Sequence, residues 1–144
     1  MKKALLLVVV AVLAYGYLHE HPVSLPGLST DTQGDDSRIA QAFHSRQSDL
    51  QVRGEGVVTR ILPDDREGSR HQRFILRLAS GQTLLVVHNI DLAPRIDDLR
   101  TGDTVAFHGE YEWNARGGVL HWTHHDPAGR HVGGWLRHDG EIYR

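Results

Sequence analysis

The sequence predicts a mainly β domain: five strands curled into a Greek-key barrel, with a short helix in front and a C-terminal hairpin extension behind. Three observations predict it. From Leu50 onward, apolar and polar residues alternate with the two-residue period of half-buried strands. Clusters of Gly, Pro, Asp and Asn interrupt that alternation at short intervals, as turns do. One longer irregular stretch, Asn89 to Leu99, separates the third run from the fourth and has the length of a crossover.

Asp36-Ser37 reads as the cap of a helix over Arg38 to Asp49. Ile39, Ala42, Phe43 and Arg46 form its narrow apolar stripe, and a helix this short must dock on something. The first strand covers Val52 to Leu62, and Gly54 and Gly56 within it predict a bulge or strong bend. A polar loop, Pro63 to Arg70, leads to Arg73 to Leu78, where Phe74, Leu76 and Leu78 share a face. Ala79-Ser80-Gly81-Gln82 turns the chain into Thr83 to His88. The crossover carries Pro94 and room for one helical turn; Thr101-Gly102-Asp103 is a turn, and Val105, Phe107, Gly109 and Tyr111 mark a fourth strand reaching Trp113. After Asn114 to Gly118 a fifth strand runs Val119 to His125, with Leu120, Trp122 and His124 inward and His121, Thr123 and His125 outward. Asp126-Pro127-Ala128-Gly129 has the order of a type I turn. His138-Asp139-Gly140 joins Trp135-Leu136 to Ile142-Tyr143 as a hairpin. This order fits a five-stranded barrel of the OB type, with an SH3-like barrel as the alternative.

A length of 144 residues argues for one domain. Residues 1–14 stand apart from it: Lys2 and Lys3 precede an unbroken apolar run, Ala4 to Ala14, the layout of a signal peptide. Uncleaved and extended to Leu18, the same segment would be an N-terminal membrane anchor, and residues 1–18 are the only expected membrane contact. Both readings put the domain outside the cytoplasm, periplasmic or secreted. Residues 15–36, rich in Pro, Gly, Ser and Thr, read as a linker, leaving 37–144 as the folded unit. The chain has no cysteine, which excludes thiol catalysis, thiolate metal sites and disulfide staples. Without Lys2 and Lys3 the basic residues are 14 arginines against 18 acids, a net charge near −4. Such a domain is no general polyanion binder and needs a local basic patch for any nucleic-acid role.

Four segments occur in fixed order: Ser69-Arg70-His71-Gln72-Arg73-Phe74, His88-Asn89-Ile90-Asp91-Leu92-Ala93-Pro94-Arg95-Ile96, Gly109-Glu110-Tyr111-Glu112-Trp113-Asn114, and the histidine segment from His121. Together, over Leu50 to Tyr143, they resemble a family of small exported bacterial proteins defined as a domain of unknown function. The resemblance implies export and one OB-like domain, and no activity.

Chemistry must therefore be read from the residues, and five of the eleven histidines lie between His121 and His138. Histidine is both the commonest metal ligand and the side chain that titrates near neutrality. His121, His125 and His131, with Asp126 or His138 as a fourth ligand, form a candidate all-N/O site for zinc, copper or nickel. The alternative is a set of hydrogen-bonded histidines that lock the C-terminal extension onto the barrel. Arg66, Arg70, Arg73 and Arg116, with Tyr111 and Trp113 as stacking platforms, form a candidate surface for an extended anionic polymer, single-stranded nucleic acid or acidic glycan. His88 and Asp91 are placed to face the same mouth as His71, where a His–Asp pair would serve a general base. The leading expectation is an anionic-ligand binding module. A metal-assisted phosphodiesterase or nuclease is the alternative, and a metal- or pH-responsive envelope scaffold the third.

Overall fold

The computed structural model describes residues 31–144. The expected signal segment and most of the expected linker lie outside the described residues. The chain forms α1 (Asp31–Ser45), β1 (Leu50–Asp65), β2 (His71–Arg77), β3 (Thr83–Asn89), β4 (Thr104–Glu112), β5 (Val119–His121), β6 (Trp135–His138) and β7 (Glu141–Tyr143). All seven strands belong to one sheet, ordered β1-β2-β3-β5-β4-β6-β7, and β1 also pairs with β4. Among the described residues, no helix is long and apolar enough to cross a membrane.

β1 is long because it serves two partners. Its first half, Leu50 to Val57, pairs with β4, and from Val57 onward it pairs with β2. The expected bend falls later than Gly54 and Gly56: register shifts lie between Val58 and Arg60 and between Leu62 and Asp65. Gly54 instead makes room. A Cβ there would come within 2.8 Å of the Phe107 ring, so the position must stay bare for that ring to fill the core.

The inward faces of β2 and β3 alternate as the sequence implies, burying Phe74, Leu76, Leu84 and Val86 against Val52, Val58, Val105, Phe107, Tyr111, Leu120 and Leu136. Two polar residues join that face. Gln72 and His88 are register partners on β2 and β3. The Gln72 amide exchanges bonds with the Ile96 backbone, 2.8 and 2.9 Å, and His88 Nε2 donates to the Pro94 carbonyl at 3.1 Å. Both pin the 90–103 crossover, which holds one helix-like bond from Ala93 N–H to the Asn89 carbonyl.

The helix begins at Asp31, inside the stretch read as linker, and ends at Ser45. Docking explains the earlier start. Asp35 accepts from the Arg53 amide of β1 at 2.6 Å, while Ile39 and Ala42 enter the core. It stops where Arg46 turns left-handed (φ 56°), with Gln47 N–H bonded back to Ala42 and Arg46 N–H to Phe43, the pairing of a Schellman end.

β5 is shorter than its sequence. It stops at His121 because Trp122 adopts φ 53°, which breaks the alternation there. Thr123 turns inward, fully buried, and His124 follows it inside. The chain loops out through 122–134 and returns as β6 on the same edge of β4, beside Ala106 to His108. Gly134 sets the return: a Cβ there would lie 2.1 Å from the Trp122 carbonyl and 2.3 Å from that of His108.

Candidate functional site

The outward residues of β3 and β5 and the loop after β5 border a pocket of about 210 Å³ lined by His71, Val87, Asn89, Leu92, His121, Trp122 and His124. Three imidazoles therefore share one polar mouth. His124 is oriented by its own backbone neighbourhood: Nδ1 donates to the His125 carbonyl at 2.8 Å, which leaves Nε2 as the free nitrogen of the neutral ring. Trp122 is held in the left-handed region, which costs a bulky residue about 1–3 kcal/mol. Its ring lines the pocket and stacks on His131 at 3.8 Å between centroids, the planes 11° apart.

Beside the pocket, β4 and β5 build a histidine–carboxylate group by register. Glu110 pairs directly with His121, and Glu112 with Val119. His121 Nε2 lies 3.4 Å from Glu110 Oε1 and 3.7 Å from Glu112 Oε1. It has no hydrogen-bond partner among the described residues. Donor atoms of Glu110, Glu112 and His121 all fall within 4.8 Å of one another. Glu110 is fixed from behind, its Oε2 accepting from Gln51 at 3.0 Å and from His131 Nε2 at 2.7 Å.

His131 faces acceptors on both ring nitrogens, Glu110 at Nε2 and the Val132 carbonyl, 2.8 Å away, at Nδ1. Burial of the ring pulls its pKa down, but the two hydrogen bonds and the Glu110 and Asp126 charges outweigh it, and the net shift is upward. His88 is the opposite case. Burial pushes its pKa down to about 4, aided by the charges of His124 and His71 and opposed by the bond to Pro94. With Nε2–H given to Pro94, Nδ1 accepts from the Thr123 hydroxyl at 2.8 Å.

The expected metal set divides accordingly. His121 and His131 come together around Glu110, whereas His125 is exposed and outside the group. Asp126 is spent on its own loop, accepting from the amides of Ala128, Arg130 and His131, which holds its carboxyl below the usual range. His138 lies with Asp103, in the turn before β4, because β6 returns beside Ala106 to His108 and not beside His125. The residues missed in the sequence are Glu110 and Glu112. Each reads as a solvated strand-face charge, and the only signal was their alternation with Tyr111 opposite the histidine strand.

The expected His88–Asp91 dyad does not form. His88 is fully buried, and Asp91 binds Arg70, accepting from Nε at 2.6 Å and from the amide at 2.8 Å. His71 alone of those three lines the pocket. The arginine surface is also divided. Arg73 donates twice to the Pro63 carbonyl, and Arg66 is exposed on the β1–β2 loop. Arg116 lies at the other end of the β2–β3 ribbon, where its carbonyl meets the Thr83 hydroxyl. Tyr111 is fully buried with its hydroxyl on the Gly117 carbonyl, so it offers no face to a ligand. Trp113 is committed to α1, donating from Nε1 to the Phe43 carbonyl at 3.0 Å under Arg46.

The comparison with known families matches residues 23–144 to one family model, which takes in the helix as well as the strands. The chain belongs to the DUF3465 family. That family is described as a protein of unknown function, so membership fixes the relationship and leaves the chemistry to the residues. No curated protein matches the sequence.

Proposed function

We propose that this DUF3465 protein is an exported OB-like module that holds a divalent cation at Glu110, Glu112 and His121 and uses it to bind an oxyanion-bearing ligand over the adjoining pocket. One observation carries the reading: three N/O donors from paired strands lie within 4.8 Å of one another, and the imidazole nitrogen among them has no hydrogen-bond partner among the described residues. Carboxylate plus imidazole suits zinc or manganese better than a soft cation. Gln51 and His131 brace Glu110 in the way that supporting hydrogen bonds orient metal ligands. His71 and His124 at the mouth supply donors for the ligand's outer oxygens when protonated.

The OB-like assignment draws support from the pairing circuit β1–β2–β3–β5–β4–β1, in which β3 and β5 are parallel and every other pair antiparallel. Export draws support from Lys2 and Lys3 ahead of the Ala4 to Ala14 run. An anionic polymer lying across the arginines has less support, because Arg70 and Arg73 are engaged internally and Tyr111 is buried.

The test is metal titration of the full chain without a histidine tag, followed by binding of inorganic phosphate and single-stranded DNA with and without chelator. Zinc or manganese should bind, Glu112→Gln and His121→Asn should each weaken binding at least tenfold, and anion binding should require the metal. Metal affinity unchanged in both variants overturns the proposal. Chelator-insensitive DNA binding lost in Arg66→Ala and Arg116→Ala would replace it with the arginine surface.

A further inference from the structure

A second imidazole has its free nitrogen aimed among carboxylates, in a group built from different parts of the chain than the pocket. His138, at the end of β6, is 2 % exposed, yet Asp98 and Asp139 beside it are 68 % and 82 % exposed. His138 Nε2 donates to Asp103 Oδ2 at 2.9 Å, and Asp103 is itself anchored by the Arg100 amide at 2.8 Å. A carboxylate only accepts, so that bond fixes the proton on Nε2 and turns Nδ1 toward Asp98. Nδ1 is buried and has no hydrogen-bond partner among the described residues. Its nearest anionic atom, Asp98 Oδ1, is 3.8 Å away, too far for a hydrogen bond.

A buried imidazole nitrogen without a partner costs free energy, and three aspartates around one ring repel one another. A cation between Nδ1 and Asp98 removes both costs. Zinc–nitrogen and zinc–oxygen bonds near 2.0–2.2 Å put neighbouring donors roughly 3–4 Å apart, which the 3.8 Å gap matches. Donor atoms of Asp98, His138 and Asp139 lie within 4.8 Å of one another, with Asp139 approaching from the Nε2 side, its Oδ2 3.8 Å from that nitrogen. Asp103 on the far ring nitrogen completes the carboxylate–histidine–metal relay that orients ligating imidazoles.

We propose that His138 Nδ1 and Asp98, with the Asp139 carboxylate close by, form a second cation site, for zinc or a zinc-like divalent ion, with Asp103 as the positioning residue. The imidazole donor separates it from calcium sites, which are built from oxygen alone. Asp98 belongs to the crossover, Asp103 to the turn before β4, and Asp139 to the β6–β7 turn, where it adopts φ 48°. A bound ion therefore fastens the C-terminal hairpin to the body of a domain that has no disulfide to do so.

The full chain without a histidine tag is titrated with zinc while histidine ring ¹⁵N resonances, hairpin amide exchange and the melting temperature are followed. Zinc should shift the His138 Nδ1 resonance, slow amide exchange at Arg137 and Ile142 at least tenfold, and raise the melting temperature. Asp98→Asn, alone or with Asp139→Asn, should abolish the His138 response. Asn tolerates the left-handed turn at position 139, so the second change keeps the hairpin. Asp103→Asn should weaken zinc about tenfold while Asp98 and Asp139 still bind. A His138 resonance and hairpin exchange unmoved by zinc, or a response that survives Asp98→Asn, overturns the proposal and leaves a bridging water as the partner of Nδ1. Zinc at the pocket site moves His121 instead, so either site can fail without the other.

Discussion

Two seams of polar residues run on opposite sides of the same strands, and they hold histidine in opposite states. Inside, His88 lies between Thr123 and the Pro94 carbonyl, one donor and one acceptor, which suits a neutral ring. Outside, His131 lies between Glu110 and the Val132 carbonyl, two acceptors, which suits a charged one. Burial dominates the first environment and carboxylate contact overcomes it in the second. The inner seam holds the crossover to the sheet, whereas the outer seam braces a carboxylate beside an open pocket. Only the outer one can meet a ligand.

The loop 122–134 links the seams, carrying Thr123 inward and His131 outward, so breaking it should have the largest effect. Gly134→Ala drives a methyl into two backbone carbonyls. Overpacking of that kind costs about 3 kcal/mol or more, and a urea melt should show it together with loss of the His131–Glu110 pairing by NMR.

Acid separates the seams without a mutation. The folded-state pKa of His88 is lowered from the ordinary 6.5 to about 4, so below pH 6.5 the unfolded chain takes up a proton that the folded chain refuses. That group alone should lower stability by about 3 kcal/mol between pH 6.5 and pH 4, as followed by denaturant midpoints. The raised pKa of His131 works the other way: its contribution is complete below pH 6.5 and is lost as pH rises through the folded value. Asp103 and Asp126, held below the usual carboxylate range, lose their contributions only in stronger acid.

Thr123→Val keeps the shape of the inner seam and removes its donor, leaving His88 Nδ1 bare. The cost should be about 1–3 kcal/mol in a thermal or denaturant melt, with the outer pairing intact. Glu110→Gln does the reverse. It should change stability by less than about 1 kcal/mol, as partly exposed ion pairs do, while the His131 pKa read by NMR drops. A large loss of stability in Glu110→Gln, or none in Thr123→Val, would reverse the assignment of roles to the two seams.

Much of the fold was legible because alternation and turn residues are local signals. Phe74, Leu76, Leu84 and Val86 announce β2 and β3, and Asp139-Gly140 announces the last hairpin. The end of β5 was not legible. Continued alternation through His125 predicts a strand, and only the contacts of Trp122 and the close passage at Gly134 show that it breaks at His121. That one left-handed residue swaps the faces of Trp122 and Thr123, and beyond it the chain leaves the sheet, with His125 exposed and lost from the expected ligand set. Tyr111 misled for a related reason: an aromatic near a strand end reads as a platform, and packing decided that it is core.

The sequence by itself determined residue chemistry and period: a cysteine-free, mainly β domain with imidazoles concentrated near its end and carboxylates alternating along β4. Tertiary structure decided which of these meet. Glu110 faces His121 through strand register, and His138 meets Asp98 and Asp103 because β6 returns to β4 after a thirteen-residue loop, 122–134. Those pairings join residues distant in the chain, and their geometry depends on a backbone reversal that propensity disfavours and packing enforces.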